Sequence, residues 1–232
     1  MRCFVVGNGP SLAQTNLDLL SDEYSFGVNA VHQIYHRTTW RPSVLVIGDV
    51  SRGHAEWINE RRADPELLLD RRTLRFLHCV SHNPQADIRV RKDYDTWAGK
   101  LWRRLEYFDI CSHHNLGYPY DWSKAPAGWH PPQFCRWGGG VGMALQMAVL
   151  EGYAPIYVLG CDLGYVAGTA NHFAPNYGDP IVDYRAQALN MVLDYAHRIA
   201  FREAKERGVE IFNAAPGGAL EAYPRVRLEE II

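Results

Sequence analysis

Four apolar runs of this chain end directly in glycine or in small polar residues. Cys3-Phe4-Val5-Val6 runs into Gly7-Asn8-Gly9-Pro10-Ser11, and Ser25–Val28 into Asn29. Residues 43–47 run into Gly48-Asp49, and residues 155–159 into Gly160-Cys161-Asp162. Gly138-Gly139-Gly140 opens a helical pattern. A buried strand that stops in a Gly-Asn-Gly-Pro-Ser turn brings backbone N–H groups and small polar side chains to one point. Open α/β sheets hold phosphate groups in this way. One glycine after a strand is only a turn signal. Several such ends in one parallel sheet share an edge and line one crevice, so the set points to a nucleotide or another phosphate ester.

The turn is neither of two familiar phosphate loops. It lacks the third glycine of G-x-G-x-x-G, and no Gly-Lys-Ser/Thr follows, which disfavours NAD and P-loop ATP chemistry. Asp49 and Asp162 each follow an apolar run. Such a pair could hold Mg²⁺ on a diphosphate, or each could cap a loop by accepting backbone N–H bonds. His172 lies in Asn171-His172-Phe173-Ala174-Pro175-Asn176-Tyr177, after the Asp162 strand, where a lid over the crevice belongs. Its near-neutral intrinsic pKa suits a general base. His197, on a long helical pattern, reads as packing or surface. No histidine has the partners of a metal site.

These residues need a scaffold. Strands are expected at 3–6, 25–30, 43–47, 74–79, 155–160 and 209–213. Helices are expected at 52–72, 93–108, 141–151 and 183–207. The strand runs are continuous rather than alternating, as in strands covered on both faces. Alternation of the two types gives an α/β fold: an open, mostly parallel sheet with helices on both faces. Residues 83–135 form an irregular aromatic lid region and 164–179 a second loop. The aromatics of 94–137 are either core or a stacking platform for a sugar. The 232 residues fit one domain, 1–232.

Composition narrows the partners. A hydrophobic content of 47% supplies a core, and 22% charge argues against disorder. A net charge of -2 makes the chain no binder of nucleic acid. Residues 52–104 are locally basic. They read as solvated helix faces, or as a surface for an acidic acceptor or a peripheral membrane contact. The five cysteines, at 3, 79, 111, 135 and 161, form no C-x-x-C pair, so neither a disulfide framework nor structural zinc is expected. With no signal-peptide pattern and no membrane-length apolar run, a cytoplasmic protein is expected.

Val6-Gly7-Asn8-Gly9-Pro10-Ser11-Leu12, followed by Phe26-Gly27-Val28-Asn29, resembles the opening of bacterial sialyltransferases that use CMP-sialic acid. It equally resembles flagellin-modification proteins of the motility-associated-factor type and a related uncharacterised group. The stretch 139–145 and the run 152–162 are similar to the same superfamily, and 211–226 resembles the uncharacterised group most closely. The resemblance covers about half the chain and leaves 50–135 unmatched. It implies a Rossmann-like glycosyltransferase fold that needs neither metal nor cofactor, a nucleotide-sugar donor, and a glycan or glycolipid acceptor. It also implies a homo-oligomer.

Carried over by position, Asn8 and the backbone of Gly7, Gly9, Pro10 and Ser11 would meet the donor phosphate and ribose. Asn29 would contact the nucleotide. Gly139 and Gly140 stand where the sialyltransferases have Thr-Ser-Gly, which puts CMP-sialic acid itself in question, and Arg136 would supply charge. Tyr165 lies one residue from a tyrosine that assists phosphate departure, and the relatives use a histidine base, here His172. An archaeal-type 6-hydroxymethyl-dihydropterin pyrophosphokinase has a distant version of the same turn. It would use ATP and Mg²⁺ on Asp49 and Asp162, whereas a non-catalytic nucleotide-binding module would need neither.

Overall fold

A computed structural model of the chain describes residues 1–47, 75–80, 105–109, 139–174, 177 and 181–232. The expected helix at 52–72 and most of 83–135 lie outside the described residues, as do Asp49 and Arg136.

Seven strands form one sheet: β1 Cys3–Val6, β2 Ser25–Val28, β3 Val44–Ile47, β4 Arg75–Val80, β5 Leu105–Asp109, β6 Ile156–Leu159 and β7 Ile211–Asn213. Their spatial order is β5-β4-β3-β2-β1-β6-β7, and every pairing is parallel. The order reverses between β1 and β6. In open α/β sheets, ligands bind outside the carboxyl ends of the strands at such a switch point. Residues 105–108, expected as the end of a helix, belong to β5 instead. Leu-Glu-Tyr-Phe is a short, aromatic-rich run, and pairing along β4 decides its conformation over helix propensity. β5 therefore brings part of the 83–135 stretch into the sheet.

Both faces of the central strands are buried, which explains the continuous apolar runs. On one face Cys3, Val5, Phe26, Val28, Val44, Val46, Ile156 and Val158 meet α1, Gly139–Leu150, and α2, Asp183–Glu206. Every residue of α1 from Val141 to Val149 is buried, because the helix lies between the sheet and α2. Ala200 and Ala204 let α2 approach closely. Each fully buried Val, Leu, Ile or Phe contributes about 1.5–3 kcal/mol.

The opposite face is covered by short 3₁₀ helices, Pro10–Gln14, Leu17–Leu20 and Val31–Arg37. Leu12, Leu17, Leu20, Val31, Ile34 and Trp40 pack there on Phe4, Val6, Leu45 and Leu159. Trp40 is fully buried and donates its indole N–H to Ser25 Oγ at 3.1 Å. Among the described residues no helix is long and apolar enough to cross a membrane.

Candidate functional site

A cleft opens at the carboxyl ends of β1, β2 and β6 and is closed on one side by the N-terminus of α1. Asn8, Gly9 and Pro10 line it from the β1 loop, Asn29 from β2, and Cys161 and Asp162 from β6. Gly139 and Gly140 line it at the helix entrance, and Tyr165, His172 and Tyr177 from the following loop. The structure thus gathers Asn8, Gly9, Pro10, Asn29 and Asp162 of the strand-end residues expected from the sequence, together with Tyr165 and His172, while Asp49 lies outside the described residues.

The glycines of the first loop serve a close backbone crossing. A Cβ on Gly7 would sit 2.4 Å from the Gly160 carbonyl oxygen, and one on Gly9 would sit 2.5 Å from Asp162 Oδ2. Real side chains do not tolerate such distances. Four of the loop's amides are spent inside the protein. Gly7 N–H donates to Leu159 O at 2.8 Å, Gly9 N–H to Gly160 O at 2.6 Å and Leu12 N–H to Gly9 O at 3.1 Å. Ser11 N–H donates to Asp162 Oδ2 at 2.6 Å, and Pro10 has no N–H. These amides are therefore not free to cradle a phosphate, whereas the Asn8 side chain lines the cleft.

Asp162 is the clamp of this arrangement. Its carboxylate accepts both the N–H and the hydroxyl of Ser11, and its own carbonyl accepts Ala219 N–H. Asp162 is 6% exposed, as is Ser11. A Cβ on Gly218 would lie 2.6 Å from Asp162 Cα, so the turn after β7 is also pressed against this point. Gly218 has φ +86, a conformation glycine adopts without a Cβ penalty. Asn213 secures that turn, donating to Leu220 O at 2.9 Å and accepting Ala215 N–H at 3.0 Å. Ser11, expected to touch a ligand, here holds the loop in shape, and Asp162 takes the loop-capping role the sequence left open while also lining the cleft.

Asn8 is 7% exposed. Its amide nitrogen donates to Val28 O at 2.9 Å and to the Tyr177 hydroxyl at 2.9 Å. A carbonyl only accepts, so the amide orientation is fixed. Both amide hydrogens are used, and Oδ1 is left buried without a hydrogen-bond partner. A buried acceptor left unsatisfied costs about 1–3 kcal/mol. Such a cost is expected where a ligand completes the site.

Asn29 sits at φ +47, in the left-handed region, and its N–H donates to Val46 O at 2.8 Å. A Cβ on Gly140 would come within 3.1 Å of Asn29 Nδ2, so glycine there keeps the helix entrance close to β2. The first turn of α1 faces the cleft. Helix N-termini present unpaired N–H groups and favour negative charge.

His172 lies between two tyrosines. Its ring stacks on Tyr177 at 4.0 Å between centroids and 19° between planes, and it meets Tyr165 edge-on at 6.2 Å. Burial lowers its pKa to about 4, so the imidazole is neutral at pH 7. Asn190 of α2 holds the Tyr165 backbone, accepting its N–H at 2.7 Å and donating to its carbonyl at 2.9 Å.

Two residues of the site carried no functional reading in the sequence. His197, read as packing or surface, is buried at 1% exposure and lines the cleft. Its Nε2 lies 3.3 Å from Cys161 Sγ and its Nδ1 2.8 Å from the Tyr223 hydroxyl. Burial lowers its pKa to about 4 and raises the Cys161 thiol, so the pair is neutral. Helical spacing puts Leu193, His197 and Ala200 on one face of α2, and only the packing of the helix shows that this face is inward. The second residue is Tyr177, five positions after His172 in the same loop. The described residues contain no cluster of three or more His, Cys, Asp or Glu able to hold a metal ion.

Strand order, switch-point cleft and helix entrance together define an open parallel α/β protein of the Rossmann-like class. No family model and no curated protein matches the chain. Solved structures share its fold. One is the MAf glycosyltransferase from Magnetospirillum magneticum AMB-1, with a TM-score of 0.57 at 15% identity over 97% of this chain. This chain spans 33% of that one. Another is a mutant of the alpha-2,3/8-sialyltransferase CstII, with a TM-score of 0.51 at 12% identity, covering 97% of this chain and 86% of that one. The fold implied by the sequence resemblance is the fold found.

Proposed function

We propose that this chain is a glycosyltransferase that takes a nucleotide-activated sugar in the switch-point cleft and passes it to a hydroxyl of a glycan or glycolipid. A CMP-linked nonulosonic acid is the donor class the reading favours. The observation that carries it is the pairing of Asn8, with its unpartnered Oδ1, and a neutral His172 in one cleft. The two glycosyltransferase structures of like fold are in keeping with it.

In this reading Asn8 Oδ1 accepts a hydrogen bond from the nucleoside, and Asn29 contacts the same moiety. The α1 N-terminus at Gly139 and Gly140 receives the phosphate. His172 takes the proton of the acceptor hydroxyl. The acceptor oxygen bonds to the anomeric carbon as the bond from that carbon to the phosphate oxygen breaks, and the nucleotide leaves with the electron pair. The negative phosphate beside His172 raises the proton affinity of the imidazole, which brings a depressed base toward its working range. Tyr165 hydrogen-bonds the departing phosphate. Both carboxylate oxygens of Asp162 are engaged by Ser11, which favours this metal-independent route over a Mg²⁺-dependent pyrophosphokinase.

A thermal-shift panel of CMP, CDP, UDP, GDP, ADP and ATP, with and without Mg²⁺, tests the reading. A ligand at one hundred times its Kd adds about 2.7 kcal/mol. Stabilisation by CMP in the absence of Mg²⁺ is expected. A response confined to ATP or ADP with Mg²⁺ would replace the reading with the pyrophosphokinase. Binding without turnover of any sugar donor would leave a non-catalytic module.

A further inference from the structure

The segment that carries His172 is fastened to the first loop at a single residue. Phe173 N–H donates to the Asn8 carbonyl at 2.9 Å, and the Tyr177 hydroxyl accepts from Asn8 Nδ2 at 2.9 Å. The same hydroxyl accepts from Ala30 N–H at 3.4 Å, just past β2. Its ring lies flat on His172. Tyr177 thus touches the candidate nucleotide contact with its oxygen and the candidate base with its ring.

Resting on the proposed function, we infer that Tyr177 is a positioning residue that ties the placement of His172 to occupancy of the Asn8 subsite. A ligand group donating to Asn8 Oδ1 holds the amide plane, and the amide plane fixes the Tyr177 hydroxyl through Nδ2. The Tyr177 ring in turn limits how His172 can turn or reach solvent. The base is therefore set most firmly when the donor subsite is filled, which keeps it from serving water in an empty cleft. Hydroxyl and ring do separable work. The hydroxyl links to Asn8, and the ring covers the imidazole.

The test measures the rate at which diethyl pyrocarbonate modifies each histidine, mapped by mass spectrometry, with CMP as the probe and Kd read by calorimetry. In the free protein Tyr177→Leu should raise modification of His172 about five-fold, the worth of one aromatic stack. His197, buried elsewhere in the same cleft, should not change and serves as the control for general loosening. Tyr177→Phe keeps the ring but cuts the hydroxyl link, so in the free protein its His172 should react near the wild-type rate, while CMP binds about three- to ten-fold more weakly and, at saturation, protects His172 less than in the wild type. CMP should protect His172 in the wild type and lose most of that protection in Tyr177→Leu. Equal reactivity of His172 in wild type and Tyr177→Leu would overturn the inference, as would a parallel rise at His197. So would CMP that binds and protects both proteins alike. Failure of CMP to bind the wild type would instead overturn the CMP-linked donor of the proposed function and the link to occupancy with it.

Discussion

Removal of the Asp162 carboxylate should loosen the whole cleft, and the size of the effect follows from its bonds. The buried carboxylate accepts Ser11 N–H at 2.6 Å and the Ser11 hydroxyl. A hydrogen bond to a charged group contributes about 1.5–3 kcal/mol. Asp162→Ala removes both and strands Ser11 N–H in a position 6% exposed. Neighbouring bonds to one group are not additive, so the expected loss is about 3–5 kcal/mol. For a chain of this size each kcal/mol moves Tm by about 2–4 °C, giving a fall of roughly 6–20 °C. Asp162→Asn keeps a geometry for both partners, with its oxygen on Ser11 N–H and its NH₂ donating to the Ser11 hydroxyl, so about 1–2 kcal/mol is expected. Ser11→Ala loses only the hydroxyl bond to the carboxylate and should cost about 1.5–3 kcal/mol. Thermal and urea unfolding of the three variants, checked for two-state behaviour, gives the comparison. A change below about 1 kcal/mol in Asp162→Ala would refute the clamp.

Gly9→Ala and Gly218→Ala should each destabilise by about 1–3 kcal/mol, because the new Cβ meets Asp162 at 2.5 and 2.6 Å; unfolding midpoints check this. Burial holds the pKa of His197 down at about 4 in the folded protein, against an ordinary 6.5 for histidine. The unfolded chain takes up this proton first as pH falls, so stability is level above pH 6.5, drops between 6.5 and 4, and the contribution is gone below 4. Between pH 6.5 and 5 the loss should be about 1–2 kcal/mol, with His172 adding in the same direction, and His197→Phe should flatten the slope in urea titrations. His172→Asn should lower sugar-transfer kcat by about 10²–10⁴ with little change in donor binding, and unchanged turnover would remove it from the mechanism.

Much of the fold is legible in the sequence because the strands are buried on both faces. Val-Leu-Val-Ile and Ile-Tyr-Val-Leu admit few readings, and Gly152 and Gly208 mark helix ends. The glycine positions are equally legible, but their purpose is not. Gly7 and Gly9 signal a crowded turn, and only the three-dimensional crossing with Gly160 and Asp162 shows that protein backbone, rather than phosphate, fills the space. Asp162 and Ser11 lie 151 positions apart, so their bond leaves no local pattern. His197 hides for a related reason. On a helix of mixed polarity, a histidine facing inward looks like one facing water until the packing of α2 on α1 is known. Residues 105–108 show tertiary pairing overriding local preference. Tyr177 is visible in the sequence only as one more aromatic in a loop, because its partners Asn8 and Ala30 come from the opposite end of the chain.

Calorimetric titration of CMP in EDTA, into wild type and Asn8→Ala, tests the central claim that Asn8 and the switch-point cleft form a metal-independent nucleotide site. The account predicts binding to the wild type without metal and at least about ten-fold weaker binding to Asn8→Ala, a difference of about 1.4 kcal/mol. CMP that binds both proteins equally would contradict it, as would a wild type that ignores CMP and takes ATP only with Mg²⁺.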